Sequence, residues 1–180
     1  MKVRLNRVRL SFNDLSTPKA KFGGPEKFSA VLLLDKSTPE GEADMKAAKE
    51  IFRKLEADNF DGKELPLEKL CVSDGNDKDY SGWENKIVFT AANKKRPIVI
   101  GKQKQAVVEG DPEFPYSGCY VNVILDVWPL TGQFGPRIVA SLEAVQFAGD
   151  GEPFTANSVN VDSDFDTVED SKTETSGLGL

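Results

Sequence analysis

Residues 116–128, Y-S-G-C-Y-V-N-V-I-L-D-V-W, hold the longest clean two-residue alternation in the chain. Cys119, Val121, Val123, Leu125 and Val127 fall in one phase; Tyr116, Tyr120, Asn122, Ile124, Asp126 and Trp128 fall in the other. Period two with one wholly apolar face requires a β-strand with one side in a core. The opposite face sets Tyr116, Tyr120 and Trp128 among polar groups. Such rings either pack against cross-strand neighbours or offer a platform on which nucleobases stack. Asp126 repels phosphate, so part of that face is expected to pack against a helix instead.

The rest of the chain supplies further strands and one helix. Residues 2–12 read as a strand whose apolar phase changes from Val3 and Leu5 to Val8, Leu10 and Phe12, which places a bulge near Asn6-Arg7. A loop punctuated by Pro18, Gly23, Gly24 and Pro25 follows. Residues 28–34, F-S-A-V-L-L-L, form a continuous apolar run and predict a strand buried on both faces. Ser37 and Glu40 have capping-box spacing before a helix over about residues 40–57, with Ala47, Ile51 and Leu55 on its inner stripe and Ala48 and Phe52 beside them. A short strand is expected within 65–72, others over 86–92 and 97–101, and a last one over 137–147 that pairs with 116–128 as a hairpin. The spacing of Asp74, Asn76, Asp77 and Asp79 does not match a calcium loop and reads as a surface turn.

Composition removes much chemistry. The chain has no histidine and two cysteines, Cys71 and Cys119. Histidine-based nucleophile activation and a zinc site are excluded, and no phosphate-binding glycine loop is present. Nothing approaches the roughly 18 apolar residues of a membrane span. The N-terminal stretch lacks a signal-peptide core, so a cytoplasmic setting with free thiols is expected.

Charge is unevenly placed. Residues 150–180 carry eight acidic side chains against Lys172, a net −7, so residues 1–149 carry +1 of the total −6. A near-neutral body with a strongly acidic end reads as a domain over 1–149 and a disordered, interacting tail over 150–180. Within the body, residues 85–105 hold Lys86, Lys94, Lys95, Arg96, Lys102 and Lys104 and no acidic residue. One-signed charge repels itself unless an anion uses it.

About six strands and one helix fit a small β-barrel of the OB-fold type, whose sheet face and loops bind oligonucleotides. The helix of that fold joins the third and fourth strands, whereas here it follows the second. The segments R-V-R-L-S-F, S-A-V-L-L-L-D-K, V-S-D-G-N-D, A-A-N-K-K-R-P-I-V-I, Y-S-G-C-Y-V-N and L-E-A-V-Q-F-A-G-D-G-E-P-F occur in that order over residues 1–155. In their order and spacing the chain resembles the OB-fold single-stranded DNA-binding proteins of tailed phages. The resemblance implies sequence-independent coating and protection of single strands in phage replication or recombination, in the host cytoplasm, without enzymatic activity, cofactor or metal. Arg4, Arg7, Arg9, Lys94, Lys95, Arg96, Lys102 and Lys104 are expected to meet phosphates, and Trp83, Tyr116, Tyr120 and Trp128 to stack on bases. RNA suits the same chemistry. Related tails often end in an aromatic residue that recruits replication partners. Here the nearest counterpart is internal: Phe165 among Asp162, Asp164, Asp166, Glu169 and Asp170. That segment is the expected contact for replication or recombination proteins, and it is expected to fold back on an empty basic groove. A protein-interaction module using the basic loop, or a carboxylate-metal nuclease, would fit the composition less well.

Overall fold

The computed structural model of the chain describes residues 1–154 and 166–168. It is mainly β, with one long helix. The elements are β1 (Lys2–Ala20), β2 (Glu26–Asp35), α1 (Pro39–Asn59), β3 (Val72–Asp74), β4 (Lys86–Asn93), β5 (Ile98–Ile100), β6 (Tyr120–Gly132) and β7 (Gly135–Gly149), with short 3-10 turns at Leu67–Lys69 and Gly75–Asp77. They form one seven-stranded sheet in the order β3-β4-β2-β1-β6-β7-β5. All pairings are antiparallel except β5 on β7. The sheet curls until β4 meets β7, where Asn93 Nδ2 donates to the Leu142 carbonyl at 3.2 Å. β1, β2, β4, β6 and β7 thus make an OB-type barrel. The helix does follow its second strand.

Strand β6 behaves as its alternation requires. Cys119, Val121, Val123, Leu125 and Val127 are wholly buried in one apolar cluster with Leu5, Leu10, Leu32, Leu34, Phe89 and Leu142. Burial pushes the Cys119 thiol up to about 11 and the Cys71 thiol up to about 12, so both stay protonated near neutral pH. On the opposite face the Asp126 carboxylate accepts from the Met1 amine at 2.8 Å, away from the helix, while Tyr120 shares a recess with the first turn of α1. Helix α1 seats Ala48, Phe52 and Leu55 in the core, while Ala47 is exposed. The inner stripe is therefore rotated by one position from the expected one. Thr38, not Ser37, caps the helix, its Oγ1 accepting from Gly41 N; Ser37 instead bonds Asp35.

Register shifts reshape the strands. Register shifts near Leu5/Val8 and Leu10/Asn13, with Arg7 at φ 49°, bend β1. The first matches the expected phase change. The second was hidden: an extra residue between Leu10 and Asn13 changes the phase, so Phe12 turns outward rather than joining the core. Past it, residues 13–20, expected as loop, continue β1 into a long hairpin with β2. Ladder pairing of Asn13, Asp14, Lys19 and Ala20 with β2 holds the backbone there, and only residues 21–25 are left as the turn. In β7 the inner face runs Ile138, Ala140, Leu142 and then shifts to Val145 and Phe147, leaving Ala144 outside it.

β7 ends at Gly149, and residues 150–154 are held against the barrel. Tyr116 donates its hydroxyl to Asp150 Oδ1 at 2.8 Å, Phe154 N donates to the Ser117 carbonyl, and Gly151 passes so close to Gly118 that a Cβ would overlap its carbonyl. Of the tail residues named above, Asp166 is described and exposed; Asp162, Asp164, Phe165, Glu169 and Asp170 lie outside the described residues.

Candidate nucleic-acid interface

The outer face of β1, β2 and β4 has an apolar patch at one end. Leu33 and Val88 pack with the Trp83 indole, and Val31 and Phe154 border them. This explains why β2 reads as apolar throughout. Trp83 was expected to be a free stacking surface; it is buried, and its Nε1–H donates to Ser11 Oγ at 3.1 Å. A buried ring already covered on its faces cannot receive a base. It serves instead as the floor for two rings that can. Phe12 and Tyr80 lean on it with centroids 6.1 and 4.7 Å away, lie 5.1 Å from each other, and are about half exposed.

From this patch a trough runs over the sheet between two hairpins. Ser29, Lys27 and Ala92 lie in it beside the β1–β2 hairpin, which contributes Lys19, Lys21 and the fully exposed Phe22. Beyond Lys27 and Ala92 it continues past Thr90 to Trp128, Leu130, Arg137 and Lys69, along the β6–β7 hairpin. Trp128 is 38% exposed and is oriented by a 3.0 Å bond from its Nε1–H to Ser141 Oγ. Near the tip of that hairpin, the Arg137 guanidinium covers the Phe134 ring.

The hairpin lysines are fixed by a buried carboxylate. Asp14 meets Lys19 Nζ at 3.0 Å and Lys21 Nζ at 2.9 Å and accepts from Ser29 Oγ at 3.0 Å. Burial alone would raise its pKa, but the hydrogen bonds from Lys21, Lys19 and Ser29 outweigh burial and hold it below the usual carboxylate value. Asp14 therefore stays ionised and positions both lysine stems, whose heads remain half or more exposed.

The expected phosphate contacts divide among several places. Lys94 and Lys95 are exposed in the turn after β4, beside the trough because Asn93 pairs with Phe28. Arg96 is partly committed, its guanidinium over the Phe28 ring and donating to the Ser16 carbonyl at 3.0 Å. Lys102 lies over the Phe147 ring, and Lys104 follows in the same β5–β6 loop, which Gln146 bonds from β7. Arg4 is exposed opposite Ile124 on β6. Arg4, Lys102 and Lys104 do not line the trough. Tyr116 precedes β6, is half-buried against Phe147, and spends its hydroxyl on Asp150 and Gly151. Arg7 and Arg9 sit with Tyr120 in a different recess, by the start of α1.

Phe12, Tyr80, Phe22, Lys19, Lys21, Lys27, Lys69, Phe134 and Arg137 were not among the contacts expected from the sequence. A usable signal exists for Phe22: K-F-G-G-P puts a large ring in a glycine-proline turn, where no core can take it. Phe12 and Tyr80 carry no such signal, because one follows a bulge and the other lies in an acidic turn.

A family profile described as the single-stranded DNA-binding protein of Enterobacter phage Enc34 matches residues 1–176. The chain belongs to this family. It is 32% identical over 178 residues to protein p50 of Acyrthosiphon pisum secondary endosymbiont phage 1, covering 93% of this chain and 94% of that one. The solved Enc34 single-stranded DNA-binding protein in complex with ssDNA superposes with a TM-score of 0.76 at 26% identity, over 86% of this chain and 89% of that one. The single-stranded DNA-binding protein gp2.5 of bacteriophage T7 shares the fold, at a TM-score of 0.53 and 11% identity.

Proposed function

We propose that this protein binds single-stranded DNA without sequence preference and coats it during phage replication or recombination, in the trough between its two hairpins. The observation that carries this reading is the joint placement of half-exposed rings and exposed lysines on one sheet face. Phe12, Tyr80 and Trp128 offer π-faces, Lys19, Lys21, Lys27 and Lys69 line the trough, and Lys94 and Lys95 are exposed just after the β4 residues that border it. Stacking is indifferent to base identity, and lysine contacts to phosphate carry no sequence information. Binding alone, without catalysis, is the activity this family suggests. Among the described residues no three Asp, Glu or Cys side chains converge as a metal site would require. No helix of the described residues is long and apolar enough to cross a membrane.

The test is fluorescence anisotropy with a labelled oligothymidine and with the matching duplex, at low and moderate salt. Tight binding of the single strand, weak binding of the duplex and loss with salt are expected. Equal affinity for both ligands, or for an unrelated polyanion, would replace this reading with a protein-interaction module. Magnesium-dependent cleavage of the strand would make the protein a nuclease.

A further inference from the structure

The recess that holds Arg7, Arg9 and Tyr120 shares no lining residue with the trough. It occupies about 430 Å³ between the β1 bulge and the first turn of α1, and Lys86, Asp35, Thr38, Glu40 and Gly41 complete its wall. Arg7 lies 5.0 Å over the Tyr120 ring, an arrangement built by the bulge, since Arg7 takes φ 49° and its N–H is bonded by Asn122 Oδ1. Lys86 is paired with Asp35 at 3.2 Å. Arg9 is held between the Gly118 and Glu152 carbonyls and covers Phe154 at 4.0 Å. Phe154 and Leu33 in turn border the Trp83 patch where the trough begins. The recess and the trough are therefore adjoining stations, separated by the Arg9–Phe154 pair.

Resting on the single-strand reading above, we infer that this recess is a second station for the same DNA strand, taking a phosphate on Arg7 and Lys86 with the adjoining nucleoside against Tyr120. Three cations face two carboxylates, and one of those, Asp35, is already matched by Lys86. Arg7 makes only a long 3.5 Å side-chain bond to the Ala148 carbonyl and is exposed, so its guanidinium can turn to an anion without breaking the fold. A strand leaving the trough past Phe154 meets Arg9, which covers that ring, and then the freer Arg7. The consequence is reach: the protein covers more nucleotides than the trough alone accommodates.

The test is a length series of oligothymidines from about 4 to about 16 nucleotides, the range of site sizes for one such barrel, on the full chain and on Arg7→Gln and Lys86→Gln. A short strand whose binding depends on Trp128 should bind all three alike. Long strands should bind the variants roughly tenfold more weakly, as expected when a charge-assisted contact is lost, with the salt slope reduced by about 0.7 per lost phosphate contact. Two variants guard against one of them misfolding, and thermal midpoints confirm the fold. Equal weakening at every length, or none at any length, overturns the inference. So does a long-strand effect that disappears once residues 155–180 are deleted, since the acidic tail would then be the occupant. Wild-type protein that binds no length overturns the single-strand reading itself.

Discussion

At the residue scale, what a ring can do is set by how many of its faces are already covered. Trp83 is buried and hydrogen-bonded, whereas Trp128, Phe12 and Tyr80 each keep an open face. Replacing Trp128, Phe12 or Tyr80 by alanine should weaken oligothymidine binding by about 1–3 kcal/mol each. Titrations read by anisotropy of a labelled strand would measure this, with the unfolding midpoint of Trp128→Ala close to that of the parent. Trp83→Ala should instead lower stability by about 3–5 kcal/mol, as for a large buried aromatic, seen in denaturant unfolding. Fluorescence quenching on binding should come chiefly from Trp128 and survive in a Trp83→Phe variant. A period-two reading could place Trp128 on an outer face because nothing interrupts β6 before it. It could not place Phe12, because one extra residue between Leu10 and Asn13 reverses the side-chain phase there.

At the scale of elements, the β1–β2 hairpin depends on Asp14. Its carboxylate has a lowered pKa in the folded state, and so does that of Asp35, held down by bonds from Ser37 and by Lys86. A depressed folded pKa gives stability that is present above the unfolded carboxylate value, about 3.9, and lost as pH falls through the folded value. Unfolding free energies should thus be level near neutral pH and fall below about pH 4. Asp14→Asn should lower stability at neutral pH by about 1–3 kcal/mol and flatten that acid-side decline; an unchanged decline would place its origin in other carboxylates. The same variant frees Lys19 and Lys21, and any affinity it loses despite losing a negative charge reports how far their positioning matters. The helix was legible as an element, since its apolar residues recur at helical spacing. Its buried stripe was legible only to within one position, because Ala47 and Ala48 are chemically equal and only packing against the barrel chooses between them.

At the scale of the molecule, a body near neutrality is joined to an acidic end. A chain cut after Phe154 keeps the contacts of residues 150–154 with Tyr116, Ser117 and Arg9. If the tail competes for the trough, this shortened chain should bind a single strand more tightly than the full chain at low salt, and the difference should fade as salt rises. Equal affinities at low salt would show that the tail does not compete. Cutting at residue 149 is a poorer test, because it also strips Phe154 from Leu33 and Trp83.

The sequence by itself determined the class of structure and the chemistry open to it. Alternating apolar residues can be buried only in a sheet, a recurring helical stripe only in a helix, and a chain without histidine has no histidine-activated nucleophile. It also placed a one-signed basic run beside strands that carry aromatics. Only the tertiary structure decided which rings and cations share a surface. Lys27 reaches Trp128 and Arg137 because the sheet curls until β4 meets β7, and Lys102 is carried away from them by the loop that docks on Gln146. Phe12 turns outward through a bulge whose position depends on what β2 offers across the ladder, and Trp83 is buried because its loop lays it on Leu33 and Val88. Side-chain period is a local property of the backbone, but the phase of that period after a bulge, and the neighbours it meets, are settled by pairing between strands distant in sequence.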